Sequence, residues 1–359
     1  MKRSRFIGVL LPVLVLTGSA FVFAPAAETQ DGLSVADSLE RTVVIPARVE
    51  RVLSLQPEIT RLIAALGAAD RLVGIDYFLR NHDLLFRIVF PGQDRLPLVS
   101  MADYNFNPEY VVRLAPQVIF GAPEDRAVIE ALQNKTRIPI VALSSQGRFD
   151  GLLSEVRLLG RILGRGERAS ELETYLSGKI ARIRGVVSPL PPTARPRVYL
   201  SFWGVRTQTP VFYEPVNAAG GINVAENLAP LSRGMLVARV DFERILTWNP
   251  DVILVHGNYP PPSREVTPSS FLNDSRLHGV RAVRSGRVFY TFGFWNWWDP
   301  AEAVLETAYL ARLFHPSLFP DFDLESEGNA VFKAVYGIAA GFTALSEILD
   351  CRTWIHERS

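Results

Sequence analysis

The chain has 359 residues, of which 48% are hydrophobic and 21% charged, and its formal net charge at pH 7 is +1. This length allows two domains with cores of their own, and the composition is that of a globular protein. The near-zero net charge does not favour a nucleic acid or another polyanion as a partner. The one cysteine, Cys351, excludes an intramolecular disulfide, a thiolate metal cluster and a CxxC redox site.

The N-terminal segment has the features of an export signal. Residues 1–5 are basic, residues 6–24 carry no charge, and Ala24-Pro25-Ala26 places small residues where a signal peptidase reads them. The alternative is an uncleaved membrane anchor, because the apolar stretch approaches the ~20 residues that span a bilayer. A proline and a glycine inside the stretch weaken that alternative. We therefore predict a signal peptide over residues 1–26 and a periplasmic mature protein.

The next part of the chain alternates between strand and helix patterns. Residues 28–41 are polar, and we expect them to lack regular structure. A helical pattern from Thr60 to Leu66 stops at Gly67. Short apolar runs predict strands at residues 42–46, 51–55, 71–75 and 139–143. Strands that alternate with helices indicate a largely parallel sheet covered by helices.

One phrase occurs twice: a glutamate, six residues, a proline, one polar residue and Val-Ile. The first copy runs from Glu109 to Ile119 and the second from Glu243 to Ile253. A polar residue close before each glutamate suits a helix start, and the proline suits its end. The Val-Ile run then predicts a strand that is buried on both faces of a parallel sheet. Two such units indicate two similar lobes, and a cleft between lobes is where ligands bind.

Residues 150–187 form a long helical stretch that Gly164-Arg165-Gly166 divides into two. The second piece ends at the proline-rich run 188–192. A helix between two α/β lobes is a stiff connector, and it predicts small hinge movement rather than wide opening.

The second lobe begins with a strand pattern at residues 197–203. A further strand is predicted at 287–292, a helix at 301–314 and a helical tail at 338–359. The predicted fold is α/β, with two similar lobes of mainly parallel sheets flanked by helices and joined by one long rigid helix. The predicted divisions are a signal peptide (1–26), an N-terminal lobe (27–149), a connecting helical segment (150–190), a C-terminal lobe (191–337) and a C-terminal helical extension (338–359).

These motifs together resemble one family. The sequence is similar to the helical-backbone class of ABC-transporter substrate-binding proteins, which includes the cobalamin and ferric-siderophore binding proteins. The resemblance covers roughly residues 42–337. It is carried by residues 51–55, 66–67 and 71–74, the two Glu-x6-Pro units, the run 220–225 and the late run 313–316.

The resemblance implies a periplasmic, monomeric binding component of an ABC importer. It also implies that one surface glutamate of each lobe docks onto the membrane permease, and the matching positions are Glu109 and Glu243. Charges far apart on one face would fix orientation and speed encounter. Each glutamate also has a local explanation, because it favours the positive end of its own helix. Where the family often has a Thr-Glu pair, this chain has Thr60-Arg61.

Candidate ligand-binding side chains follow the predicted strand ends, where open α/β sheets bind ligands. The first lobe contributes Gln56, Tyr77, Phe78, Met101 and Tyr104, and the second contributes Trp203, Arg206, Tyr213, Tyr259, Trp295, Trp297 and Trp298. Three tryptophans in four residues cannot all face one core, and exposed flat rings suit a large planar ligand. Core packing is the alternative for one or two of them. Arg206 could bind an anionic group, and a plain surface role explains it equally well.

The five histidines are scattered, without a pair at metal-ligand spacing. A site for a free metal ion is therefore not predicted. His82 could be a single axial ligand to a haem or corrinoid metal, but a surface-loop position explains it more simply. His256 is expected at a strand end. No intrinsic cofactor is predicted, and the metal enters only as part of the cargo.

The predicted function is capture of an iron- or cobalt-containing organic chelate (siderophore, haem or corrinoid) for import. One alternative is a ligand sensor that reports to a membrane receptor through the same fold. A second is an enzyme on a two-lobed α/β fold. The sequence contains no G-x-S-x-G elbow, H-E-x-x-H motif or P-loop, and we predict no catalytic residues.

Overall fold

The computed structural model describes residues 28–29, 32–100, 106–122, 126–144, 147–231, 236–293 and 299–354. The proposed signal sequence lies outside these residues. Within the described part, no helix combines the length and the apolar character that crossing a bilayer requires.

The chain enters the fold through a small antiparallel sheet. Its strands are β1 (Glu28–Thr29), β2 (Gly32–Ala36) and β3 (Thr42–Ile45), in that order. The prediction that residues 28–41 lack regular structure is therefore wrong. Asp37 closes the turn between β2 and β3, because its carboxylate accepts the N–H groups of Leu39 and Arg41 at 3.0 Å. These polar residues thus serve a turn between two strands.

The N-terminal lobe is built on a parallel sheet with every strand buried. The strand order is β4 (Val52–Ser54), β5 (Val118–Gly121) and β6 (Ile140–Ala142). The helices of this lobe are α1 (Pro57–Ala65), α2 (Tyr77–His82), α3 (Leu84–Val89), α4 (Pro108–Arg113) and α5 (Arg126–Thr136).

The strand predicted at residues 71–75 is not formed. The structure has a short 3-10 helix at Ala69–Arg71, followed by single bridges from Val52 to Leu72 and from Ile75 to Leu98. The segment is extended and pairs at isolated points, so an apolar run did not make a strand here.

The connector is a pair of helices, α6 (Phe149–Ile162) and α7 (Gly166–Val187), packed along each other. The break between them falls where predicted, at Gly164, whose φ of +60° suits glycine. Leu172, Leu176 and Ile180 form part of the buried face of α7. This 22-residue helix joins the two lobes.

The C-terminal lobe repeats the parallel arrangement. Its main sheet has the order β12 (Val288–Thr291), β11 (Val252–His256), β7 (Arg197–Ser201) and β9 (Ile222–Asn223), while β8 (Gln208–Pro210) and β10 (Val237–Arg239) form an antiparallel pair. The helices are α8 (Glu214–Ala218), α9 (Phe242–Trp248), α10 (Pro268–Leu272), α11 (Arg281–Arg284) and α12 (Pro300–Phe314). The α/β fold class predicted from the sequence is confirmed.

The repeated phrase occupies the same place in both lobes. Asn107 caps α4 by accepting the N–H of Tyr110 at 3.0 Å, and Asp241 caps α9 by accepting the N–H of Arg244 at 2.7 Å. The strand that follows lies inside each sheet: β5 between β4 and β6, and β11 between β12 and β7. Each lobe is therefore organised around one copy of the phrase.

The C-terminal part of the described chain, residues 324–354, packs against both lobes, and we call it the tail. Its helices α13 (Leu324–Tyr336) and α14 (Gly341–Leu349) lie against α12 and α3 respectively. Arg168 of α7 donates to the carbonyls of Ala334 and Val335 at 2.7 Å. Trp354 is buried against Phe292, with ring centroids 4.8 Å apart. The lobes are thus held by the tail as well as by α7, and the domain boundaries drawn from the sequence stay predictions.

Candidate functional site

A cavity of about 430 Å³ lies between the lobes. From the N-terminal lobe its described lining is Arg61, Phe78, Asn81, His82, Asp83, Leu84 and Leu85. From the C-terminal lobe it is Phe202, Trp203, His256, Asn258, Tyr259, Pro260, Ser263 and Glu302. Phe202 follows β7 directly and His256 ends β11, so the cavity lies at the carboxyl ends of the parallel strands, as expected for an α/β sheet.

Trp203 occupies an unfavourable backbone conformation at this cavity. Trp203 and Gly204 have φ angles of +51° and +65°, and the N–H of Val205 donates to the carbonyl of Phe202 at 3.0 Å. This is a two-residue hairpin turn with both central residues left-handed, a turn that prefers Asn and Gly. A tryptophan there costs roughly 1–3 kcal/mol and indicates a functional reason for the side chain. Trp203 is 36% exposed and lines the cavity.

A continuous row of rings forms the C-terminal side of the cavity, and we call Trp203, Phe202, His256 and Tyr259 the aromatic wall. Successive ring centroids lie 5.2, 4.8 and 4.9 Å apart, and the rings of Phe202 and His256 are stacked at 6°. Burial lowers the pKa of His256 to about 3. The imidazole is therefore uncharged at neutral pH and acts as one more flat ring.

The N-terminal side of the cavity carries a buried ion pair. The guanidinium of Arg61 donates to Asp83, through Nε at 2.7 Å and also through Nη2. Asp83 in addition caps α3 by accepting the N–H of Phe86 at 2.8 Å. The two side chains of the pair are 1% and 2% exposed. Burial alone would lower the pKa of Arg61, but Asp83 and two carboxyl groups of the other lobe raise it, so the charge is retained.

Those two carboxyl groups belong to Asp299 and Glu302 at the start of α12. Asp299 caps the helix by accepting the N–H groups of Ala301 and Glu302 at 2.8 and 2.9 Å, and it also accepts from the hydroxyl of Tyr336. Burial raises the pKa of Asp299 to about 6, against the attraction of Arg61. Burial, followed by repulsion from Asp299, raises the pKa of Glu302 well above its usual range. Arg61, Asp83, Asp299 and Glu302 form the inter-lobe charge cluster.

The structure brings together three of the predicted ligand residues. Phe78, Trp203 and Tyr259 line the same cavity from opposite lobes. Tyr77 lies beside it, with its ring 5.6 Å from the ring of His82. Gln56 precedes α1 at its N-cap, is half-buried, and does not belong to the cavity lining.

Two further candidates are placed elsewhere. The guanidinium of Arg206 donates to Asp274 at 2.6 Å and to the carbonyl of Ser270 at 3.0 Å, and Arg206 is not among the residues that line the cavity. Tyr213 is 1% exposed, and its hydroxyl donates to Glu306 at 3.2 Å inside the lobe. The guanidinium of Arg206 and the hydroxyl of Tyr213 are thus each hydrogen-bonded to a carboxyl group of the protein itself. The remaining candidates, Met101, Tyr104, Trp295, Trp297 and Trp298, lie outside the described residues.

Several cavity residues were not predicted. Asp83, Asn258 and Glu302 gave no local signal as ligand residues, and Arg61 was noted only as a departure from the Thr-Glu pair. His82 is the last residue of α2 and does not lie in a surface loop as expected. It is exposed and lines the cavity, as does His256 at its strand end. Across the part of the chain that the structure covers, His, Cys, Asp and Glu side chains do not gather in groups of three able to hold a metal ion.

The two repeat glutamates are not among the residues that line this cavity. Glu109 and Glu243 are exposed in the first turns of α4 and α9, which the structure places at equivalent points of the two lobes. Their role in docking stays a prediction.

Comparison with known proteins agrees with this architecture. A molybdate-binding protein, MolA of Haemophilus influenzae, is 24% identical over 84% of this chain and 90% of that protein. A cobalamin-binding protein of Halobacterium salinarum is also 24% identical, over 88% of this chain and 86% of that protein.

Solved structures share the fold. A periplasmic solute binding protein from Veillonella parvula has a TM-score of 0.72 and 22% identity, covering 89% of this chain and 97% of that one. MolA bound to molybdate has a TM-score of 0.70 and 21% identity, covering 85% and 98%. The periplasmic binding protein family matches residues 52–292. The chain therefore belongs to this family, and it is a solute-binding protein of the helical-backbone class that serves an ABC transporter.

Proposed function

We propose that this protein captures an iron- or cobalt-containing organic chelate between its lobes and delivers it to an ABC permease. The observation that carries the proposal is the aromatic wall, which faces Phe78 and His82 of the other lobe across one cavity. Flat rings on both sides suit a bulky ligand with extended apolar faces. A volume of about 430 Å³ lies within the ordinary range for small-molecule sites.

The charges at the cavity argue against a small bare oxyanion. Arg61 is the one arginine or lysine among the described lining residues, and Asp83 already occupies its guanidinium. The carboxyl group of Glu302 lies at the same cavity. An anion would meet two carboxyl groups and a cation that is already paired, so its desolvation would have little compensation. Of the two kinds of ligand in the names of the relatives, this favours the organic chelate over molybdate.

Delivery to a permease is supported by the repeated phrase. Exposed carboxylates at equivalent points of two lobes can fix the orientation of a docked partner while adding little affinity. A sensor would use the same cavity, and loss of uptake in cells that lack the permease separates the two roles.

The proposal is tested by titrating the purified protein with ferric hydroxamates, haem, cobalamin and molybdate, followed by calorimetry. We expect at least one chelate to bind with a dissociation constant of about 1 μM or lower, which corresponds to about 8 kcal/mol. We expect molybdate not to compete with it. Tight binding of molybdate with no binding of any chelate would overturn the proposal.

The matched variants are Phe78→Ala, inside the cavity, and Val186→Ala, an exposed position on α7. Loss of affinity in the first and none in the second assigns binding to the inter-lobe cavity. Equal affinities would place the ligand elsewhere.

A further inference from the structure

Glu302 is buried at the cavity with one of its carboxyl oxygens lacking a partner. The residue is 2% exposed and lines the cavity from the first turn of α12. Its Oε1 accepts from Nδ2 of Asn258 at 3.3 Å. Within the described part of the chain, Oε2 is buried and accepts no hydrogen bond. Buried polar atoms of this kind are rare in folded proteins, because desolvation without a partner is unfavourable.

The surroundings of Glu302 hold more carboxyl groups than cations. The groups that face it are Arg61 of α1, Asp83 at the start of α3, Asp299 of α12, Asn258 after β11, Tyr213 before α8 and Cys351 of the tail. Arg61 donates through Nε to Asp83, and Tyr336 donates to Asp299. Among the described residues that line the cavity, Arg61 is the one guanidinium, and it is already paired with Asp83.

This imbalance determines the protonation of Glu302. Burial and the neighbouring Asp299 raise its pKa well above the usual range, although Arg61 opposes them. The protonated form of this carboxyl group is thereby favoured, compared with an exposed glutamate. A positive charge brought beside it would favour the ionised form instead.

The cavity can accept such a charge. The terminal torsion of a glutamate is soft, so either oxygen can turn towards the cavity. Trp203 and Tyr259 line the same space, and the faces of these rings attract cations. His256 is uncharged and does not repel one.

We propose that Glu302 recognises a positively charged metal chelate and releases its proton when the chelate binds. The O–H bond of the carboxylic acid breaks, the proton passes to solvent buffer, and the carboxylate pairs with the cationic group. This inference rests on the proposed function and adds the charge of the ligand to it.

The test uses two probes that differ in one charge: ferrioxamine B, with its pendant ammonium, and its N-acetylated form. Calorimetry is run near neutral pH in phosphate and in Tris, whose ionisation enthalpies differ. For the wild-type protein we expect the cationic chelate to bind at least about tenfold more tightly, as is typical of a hydrogen bond to a charged group, and to release about one proton. In Glu302→Gln we expect both the preference and the proton release to disappear.

The matched control is Glu306→Gln, a buried carboxyl one turn further along α12 that does not line the cavity. It should keep the wild-type preference. If Glu302→Gln does not fold, Glu302→Asp replaces it and should show a reduced preference with proton release retained.

Equal preference in wild type and Glu302→Gln would overturn this inference and leave the proposed function intact. Binding of neither chelate by the wild-type protein would overturn it too, and the broader titration then decides the proposed function separately.

Discussion

Arg61 of α1 and Asp83 at the start of α3 form a buried ion pair at the wall of the inter-lobe cavity, with side chains 1% and 2% exposed. The pair belongs to the N-terminal lobe, but the charge of Arg61 also faces Asp299 and Glu302 of the C-terminal lobe. The guanidinium therefore connects the two lobes electrostatically, in addition to the connections made by α7 and the tail.

Loss of Arg61 should be strongly destabilising. Arg61→Met leaves Asp83 buried without its partner, and we expect the free energy of unfolding to fall by about 3–5 kcal/mol. Urea denaturation measures the change. The comparison is Arg48→Ala, which breaks a fully exposed pair with Glu50 and should leave stability almost unchanged. Similar losses in the two variants would show that burial does not set the strength of the Arg61 pair.

Replacement of Trp203 by asparagine should lower the affinity for the ligand without lowering the stability of the fold. Trp203→Asn places a residue that tolerates left-handed backbone at φ +51°, so we expect stability to be kept or to rise by about 1 kcal/mol. The same change removes the end of the aromatic wall, and we expect ligand affinity to fall at least about tenfold. Denaturation and titration on the same samples separate the effects. Unchanged affinity would remove Trp203 from the site.

Stability should depend on pH through Glu306. This carboxyl group accepts from Tyr213, Thr291 and the N–H of Phe292, and burial raises its pKa from 4.5 to about 7. Because the folded state holds this proton more tightly than the unfolded state, the contribution of Glu306 to stability is fully present below pH 4.5. That contribution is lost as the pH rises to about 7. Relative to wild type, Glu306→Gln should therefore gain stability across this range, by up to about 3 kcal/mol. A difference between the two proteins that is constant with pH would contradict this.

The repeat glutamates should matter for uptake and not for ligand binding. Glu109→Lys with Glu243→Lys reverses both exposed charges, and we expect uptake by cells to fall at least about tenfold while the dissociation constant stays unchanged. The control is the double change Glu130→Lys and Glu171→Lys, at exposed glutamates outside the repeat. Normal uptake in the first double variant would leave only a favourable interaction with the positive end of each helix as the role of these glutamates.

The sequence predicted those parts of the fold that are specified locally. Both copies of the repeat became capped helices followed by buried strands, because the cap, the proline and the apolar run lie within a few residues. Residues 32–36 and 71–75 were misjudged for the opposite reason. The first became a strand because residues 42–45 pair with it, and the second found only isolated bridges. Strand formation depends on a partner that a local pattern does not reveal.

The candidate site was predictable only through its aromatic residues. Phe78, Trp203 and Tyr259 follow the ends of elements, and the rule that ligands bind beyond strand ends located them. The charge cluster was not predictable, because the burial of Arg61 depends on Asp83, 22 positions away, and on groups of the other lobe. Arg206 followed the same rule and is held by Asp274 instead.

The most direct test of the account is native mass spectrometry of the protein purified from its own host, with the visible absorption spectrum of the same sample. We predict an added mass that corresponds to a metal-containing organic molecule, with its absorption band, and loss of both in Trp203→Asn. A bound bare oxyanion, or an organic ligand retained in full by that variant, would contradict the claim that the aromatic wall between the lobes holds a metal chelate.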